Sequence, residues 1–238
     1  MLSSEPHGLL ARVALTSGQR DEMYALLSRH FEGVTREQFE QDLAGKNWVM
    51  EIRRDERLIG FSTLLAREMV FEGRPIVAIY SGDTIVSPEG WGSPSLARTW
   101  ITSVNHLRNE FSDRPCHWIL LTSGFRTYRF LPVFWREFYP RFDSLTPPGS
   151  GRLLDFLAKA QYGDLFDPVT GIVRFPRPQS LRGSLRNIPA GREVDRHIGY
   201  FLEKNPGHRH GDELACLTEI CESNLSAAGR RMVRSTGA

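Results

Sequence analysis

The chain has 238 residues, 40% of them hydrophobic and 24% charged, and a formal net charge of +2. That length and balance suit a folded protein with a core of its own and exclude a disordered chain, and the small charge gives no global pull toward nucleic acid or a membrane surface. Three cysteines without a Cys-X-X-Cys pair exclude a zinc ribbon or dithiol redox site, and no apolar run approaches the ~20 residues of a membrane span.

Residues 9–15 read as a short strand. Ser17 opens a helix with Met23, Leu26, Leu27 and Phe31 on one face, stopped at Gly33. Thr35, with Gln38 three residues on, has the form of a capping box before a second helix carrying Phe39 and Leu43. From Asn47 the hydrophobic period falls from 3.6 to 2. Trp48, Met50 and Ile52 alternate with their neighbours, Arg54-Asp55-Glu56-Arg57 turns the chain, and alternation resumes over 58–65, which predicts a β-hairpin. Residues 76–86 follow as a strand apolar on both faces at its start, the mark of a central position.

A turn rich in glycine and proline, 88–94, leads to a helix with Leu96, Trp100, Val104, Leu107 and Phe111 on one face. Residues 116–122 form the next strand, broken at Ser123-Gly124. The aromatic helical stretch GFRTYRFLPVFWREFYP comes next, with Pro132 expected to kink it. Beyond Pro140 the pattern loosens. Residues 144–151 read as a loop, Leu153, Leu154, Phe156 and Leu157 as a short helix, and 175–189 as a proline-rich connection. A helix with Val194, Ile198, Phe201 and Leu202 then precedes a final strand over 213–220, and the basic tail from Ser223 reads as partly helical.

The order of elements, with the segment IYSGDTIVSPEGWGSPSLARTW and the strand and helix from Trp118 to Tyr139, resembles the GNAT superfamily of acyltransferases. The resemblance implies an α/β fold: a mixed, partly splayed sheet flanked by helices. It covers 1–143 as an acyltransferase core. Residues 144–238 are expected to be an extension that completes the sheet and covers the acceptor side. It also implies that an acyl-pantetheine arm lies in the splay and that the turn and helix N-terminus beyond the central strand bind pyrophosphate, since free N–H groups and the helix dipole favour an anion.

The sequence departs from the family's loop. Trp91 stands where an Arg or Gln is expected, Pro94 and Leu96 where small residues are, and Pro94 removes one donor. With Ser93 as N-cap, the amides of Ser95 and Leu96 remain for an anion. Relatives that take acyl groups from acyl carrier protein, such as N-acyl amino acid synthases and acyl-homoserine lactone synthases, have similarly weakened loops.

The residues expected to carry the chemistry follow from the resemblance. Asp83 is the candidate base, directly or through water. Tyr128 is the candidate acid for the leaving thiolate. The amides of Ile85 and Val86 are expected to polarise the thioester carbonyl. Trp91, Gly92, Ser93, Ser95 and Leu96 form the donor loop, and Ser123 offers pantetheine a hydrogen bond. Alternation sets Tyr80 on the face opposite Asp83.

The expected reaction moves an acyl group from acyl-CoA or an acyl-phosphopantetheine carrier protein to a small-molecule or peptide amine. The rival expectation is a non-catalytic binding or regulatory protein that kept the fold and lost donor binding. His208 and His210 read as a solvated turn rather than metal ligands, and Arg126, Arg129, Arg136 and Arg141 as a polar helix face open to an acidic carrier protein rather than nucleic acid. No metal is expected. With no signal-like leader, a cytoplasmic location is.

Overall fold

A computed structural model describes residues 8–234 apart from Gly92, Ser112 and Glu193. β1 (Leu9–Ala11) is shorter than the sequence suggests, because the chain turns into a 3-10 helix at Arg12–Ala14. α1 (Ser17–His30) starts at a reciprocal capping box between Thr16 and Gln19. β2 (Phe31–Glu32) leads to α2 (Arg36–Ala44). There Thr35 accepts the Gln38 amide while the Gln38 side chain turns to Asp42, so only half of the expected box forms.

The period-2 segment builds β3 (Trp48–Arg54), β4 (Arg57–Phe71) and β5 (Arg74–Val86). The β3–β4 turn has positive φ at Asp55 and Glu56, the conformation a tight hairpin needs. α3 (Ser95–Glu110) crosses to β6 (Cys116–Thr122). The aromatic stretch divides into two short helices, α4 (Phe125–Tyr128) and α5 (Phe130–Phe134). α6 (Pro148–Tyr162) is longer than the sequence suggests: Pro148 lies in the first helical turn, where no N–H is missed, so 148–151 is helix and not loop. The chain ends with β7 (Phe166–Asp167), β8 (Ile172–Val173), β9 (Ser180–Leu181), α7 (Arg196–Lys204), β10 (Glu213–Glu219) and α8 (Ala227–Arg234). Val194 is 85% exposed and precedes the Asp195 cap of α7, outside the apolar helix face expected for it.

Eight strands form one mixed sheet in the order β1-β3-β4-β5-β6-β10-β8-β7. Its parallel pair is β5–β6, and that pairing runs only from Val77↔Cys116 to Ser81↔Leu120. Beyond it β5 stays bonded to β4 as far as Gly60↔Val86, and β6 stays bonded to β10 as far as Leu214↔Thr122. The two central strands therefore part while each remains held on its outer side.

A bulge accounts for the parting. Phe61 pairs with Ile85 but Thr63 pairs with Gly82, so Asp83 and Thr84 together oppose Ser62, and Asp83 adopts φ +42°. An extra residue bends and twists its strand and inverts which face later side chains meet. Ile79 packs in the core under α3 with Trp100 and Trp118, whereas Ile85, six residues on, packs on the opposite face with Met23, Leu27 and Phe39 of α1 and α2. The fork is closed at its base by the Trp118 indole N–H, which donates to Ser81 Oγ at 2.9 Å, and by the packed rings of Trp100, Trp118 and Trp135. Asn224, from the C-terminal segment, ties this layer to β10. It donates to Glu137 O, Thr218 Oγ1 and Glu219 O and accepts the Glu137 amide.

Candidate active site

The gap between β5 and β6 opens into a cavity of about 690 Å³. On the α3 side its mouth is lined by Trp91, Leu96, Arg126 and Thr127. On the other side it widens into a chamber bounded by Asp42 and Lys46 of α2 and the loop after it, Asp83 of the bulge, Gln161 and Tyr162 of α6, and Glu213 of β10. One continuous passage thus crosses the sheet.

The bulge fixes which backbone groups face the passage. The Ser87 amide donates to Ile59 O on β4, so alternation turns the Ile85 amide to β4 as well and the Val86 amide to the gap. The Val86 carbonyl is on the gap side too, where the Trp91 indole N–H donates to it at 2.9 Å. Of the two amides expected to meet a carbonyl, Val86 is oriented to do so. Ile85 contributes its side of the wall.

At the mouth, helix α3 begins at Ser95 with Pro94 as its cap residue, one position later than the sequence suggests. The Ser95 amide donates to Ser93 Oγ, and the hydroxyls of Ser93 and Ser95 are bonded at 2.5 Å. The Ser95 amide is therefore not left for an anion as expected, and neither serine is among the residues that line the cavity. Leu96 and Ala97, second and third in the helix, keep amides with no intrahelical acceptor, and Leu96 lines the passage. Gly92 lies outside the described residues. Arg126, which the sequence reads only as part of a polar face, lies with its guanidinium 4.1 Å from the Trp91 ring centroid and donates to Leu185 O at 2.8 Å. Burial pushes its pKa down. Ser123 lines the passage beside it.

In the chamber, Asp83 Oδ2 is buried and has no hydrogen-bond partner. Burial pushes the Asp83 carboxyl up to about 6, against the opposing pull of Lys46. Glu213 is pushed up to about 7 by burial first and by the nearby Asp83 charge second, with Lys46 opposing and Asp42 adding. Lys46 Nζ lies over the backbone of Gly82, 2.9 Å from where a Cβ would stand. Burial and Glu213 raise the Tyr162 phenol. Sequence reasoning missed Glu213 and Lys46: each is a lone charged residue on a common element, and only the strand order brings them to Asp83.

Two expectations are corrected here. Tyr128 lies outside the cavity: it is fully buried, its hydroxyl donates to Pro140 O at 3.0 Å, and its ring packs among Phe138, Tyr200 and Phe201. Burial raises its pKa far from any proton-transfer range. A side chain so held cannot reach a departing thiolate in the passage. Tyr80 shares the chamber face of the sheet with Asp83 instead of opposing it, because the bulge inverts the alternation; its hydroxyl is bonded to Leu157 O.

A mixed sheet whose two central strands part beside a gap is the arrangement the sequence resemblance implies. No protein-family model matches the sequence, and no curated protein matches it. Among solved structures, the chain is similar to an acyl-CoA N-acyltransferase from Pseudomonas aeruginosa at 16% identity and TM-score 0.37, over 47% of this chain and 76% of that one. It is also similar to a conserved protein of unknown function from Enterococcus faecalis at 13% identity and TM-score 0.42, over 89% and 65%. A GCN5-related N-acetyltransferase from Kribbella flavida matches at 12% identity and TM-score 0.38, over 73% and 46%. Among the described residues, no three His, Cys, Asp or Glu side chains are grouped to hold a metal ion, and no helix is long and apolar enough to cross a membrane.

Two outcomes follow. Tyr128→Phe should cost about 1–2 kcal/mol of stability by denaturant titration, from the orphaned Pro140 carbonyl, and leave any amine-dependent thiol release unchanged. Asp83 and Glu213 hold their protons more tightly folded than unfolded. Their stabilising contribution is therefore complete below about pH 4 and lost as pH rises through 6 and 7. Asp83→Asn, which keeps a residue tolerant of positive φ, should accordingly raise Tm by about 2–4 °C at pH 8 and change it little near pH 4.

Proposed function

We propose that this protein is an N-acyltransferase that moves an acyl group from a thioester of CoA or of acyl carrier protein to an amine. The observation that supports this reading best is the passage itself. It joins a cationic mouth on one face of the sheet to an acidic chamber on the other, and the narrow section between them is walled by the parted strands β5 and β6.

At the mouth, the amides at the start of α3 and the Arg126 guanidinium converge where a phosphate of the pantetheine arm would enter. Trp91 replaces the expected cationic or amide side chain, and Arg126, stacked on that same ring, supplies the charge from the opposite strand's loop. Ser123 and Thr127 offer hydroxyls along the arm. The acyl carbonyl then reaches the bulge, where the Val86 amide is directed to the gap and can hold the developing oxyanion.

On the chamber side Asp83 receives a proton from the incoming ammonium, for which a carboxyl near pKa 6 is well placed at neutral pH. The freed amine attacks the carbonyl carbon: a C–N bond forms, the C–S bond breaks, and the second N–H proton leaves with the thiolate as a thiol. Residues of 144–238 line the cavity, among them Gln161, Tyr162, Leu165, Phe175, Arg177 and Glu213, which supports reading that region as the acceptor side.

The test is thiol release with acetyl-CoA, a long-chain acyl-CoA and a charged acyl carrier protein, each with a panel of amines. Amine-dependent release with at least one donor is expected. Asp83→Asn should lower kcat by about 10²–10³. Arg126→Ala should raise the donor KM by about 10-fold or more, the loss of one charge-assisted contact. Silence with all three donors, or full turnover by Asp83→Asn, contradicts the reading.

A further inference from the structure

Asp83 and Glu213 come from elements 130 positions apart in sequence and meet because β10 lies next to β6, on the open side of the fork. The bulge leaves Gly82 and Asp83 both directed to the chamber face, and Ala215 and Leu217, which share a strand face with Glu213, pack on that side. Three acceptors converge there. Asp83 Oδ2 and Gln161 Oε1 are buried without hydrogen-bond partners, and the Glu213 carboxyl lines the same wall.

A chamber that offers several acceptors and leaves two of them unbonded is complementary to a group rich in donors. Its charged and titratable neighbours are Asp42 and Lys46 from the α2 side, Asp83 from β5, Tyr162 from α6, Arg177 from the connection before β9 and Glu213 from β10. Beyond the mouth, two cations of the lining, Lys46 and Arg177, stand against three carboxyls, so one positive charge is lacking while the carboxyls are ionised. Tyr162, Leu165 and Phe175 supply the apolar remainder of the wall.

We propose that Asp83 and Glu213 form a two-carboxyl seat for the ammonium head of a primary amine with an apolar, aryl or alkyl body, and that the pair shares one proton. Glu213 is then a catalytic residue alongside Asp83. The ammonium donates to both carboxyls and to Gln161 Oε1, and its proton passes to the pair rather than to one fixed base. Like charges that share one buried lining and act on each other titrate as a unit. The inference rests on the acyl-transfer reading only for calling the amine an acceptor; the seat itself is tested without a thioester.

The experiment is isothermal titration calorimetry of the full chain with 2-phenylethylamine, in two buffers of different ionisation enthalpy, with 2-phenylethanol as the neutral counterpart and spermidine as a polar polycation. Saturable binding of the arylalkylamine is expected, with a proton exchange that changes between pH 6 and 8. The alcohol should bind at least 10-fold more weakly, and spermidine no better than the arylalkylamine. Glu213→Gln and Asp83→Asn should each weaken the amine by about 10-fold, and their double variant should weaken it by much less than the product of the two. Both substitutions remove a desolvated charge, so a thermal melt at pH 8 showing a Tm no lower than the parent's confirms that the variants are folded.

Equal binding of amine and alcohol overturns the proposal, as does unchanged affinity in folded Glu213→Gln or tighter binding of spermidine. Amine binding without any thiol release would remove the acyl-transfer reading and leave the seat standing. Thiol release that is insensitive to Glu213→Gln would do the reverse.

Discussion

The bulge opposite Ser62 is the constraint from which the site follows. One residue too many on β5 puts Asp83 in a left-handed conformation, which Asp tolerates better than most residues through its short polar side chain. The surroundings hold it there. Ser62 Oγ and Thr84 Oγ1 are bonded at 2.7 Å across the bulge, and Thr63 Oγ1 donates to Gly82 O at 2.8 Å. With the strand so bent, its ladder to β6 ends at Ser81, although both strands keep their outer partners. The same extra residue directs Asp83 into the chamber and turns the Val86 amide toward the gap. A single local irregularity thus supplies opening, carboxyl and amide donor together.

The charges on the two sides of the sheet are sorted by the same geometry. Arg126 and the start of α3 make the mouth electropositive, while Asp42, Asp83 and Glu213 outnumber Lys46 and Arg177 along the rest of the lining. Burying carboxyls with an unbonded oxygen costs folding free energy, which is what raises Asp83 and Glu213 toward neutral pH. Such strain is tolerated where a ligand relieves it. The aromatic layer of Trp100, Trp118, Trp135 and Phe130 offsets it by packing under the fork and keeping its base shut.

Much of the sheet was legible in sequence because its strands are written in period-2 alternation: 48–52, 58–65 and 76–86 read directly as β3, β4 and β5. The bulge was not, since an inserted residue in an apolar strand changes no composition, and so Tyr80 was assigned the wrong face. Pro148 misled in the other direction, signalling a loop where it opens α6. Of the site, Asp83, Val86, Trp91, Leu96 and Ser123 were legible through the resemblance and meet in the passage. Tyr128 was expected from the resemblance, but the tight α4 turn carries its ring into the core. Glu213, Lys46 and Arg126 had no local signal, because their meaning depends on which strands and loops become neighbours.

The passage between the parted strands is the claim on which the functional account stands. A crystal structure of the chain with a non-hydrolysable pantetheine thioether of an acyl group tests it most directly. The account predicts the arm lying between Val86 and Leu121, its phosphate beside Arg126 and the acyl carbonyl position within hydrogen-bond distance of the Val86 amide. An arm bound elsewhere, or strands β5 and β6 found closed past Ser81 and Leu120 with side chains filling the gap, would contradict it.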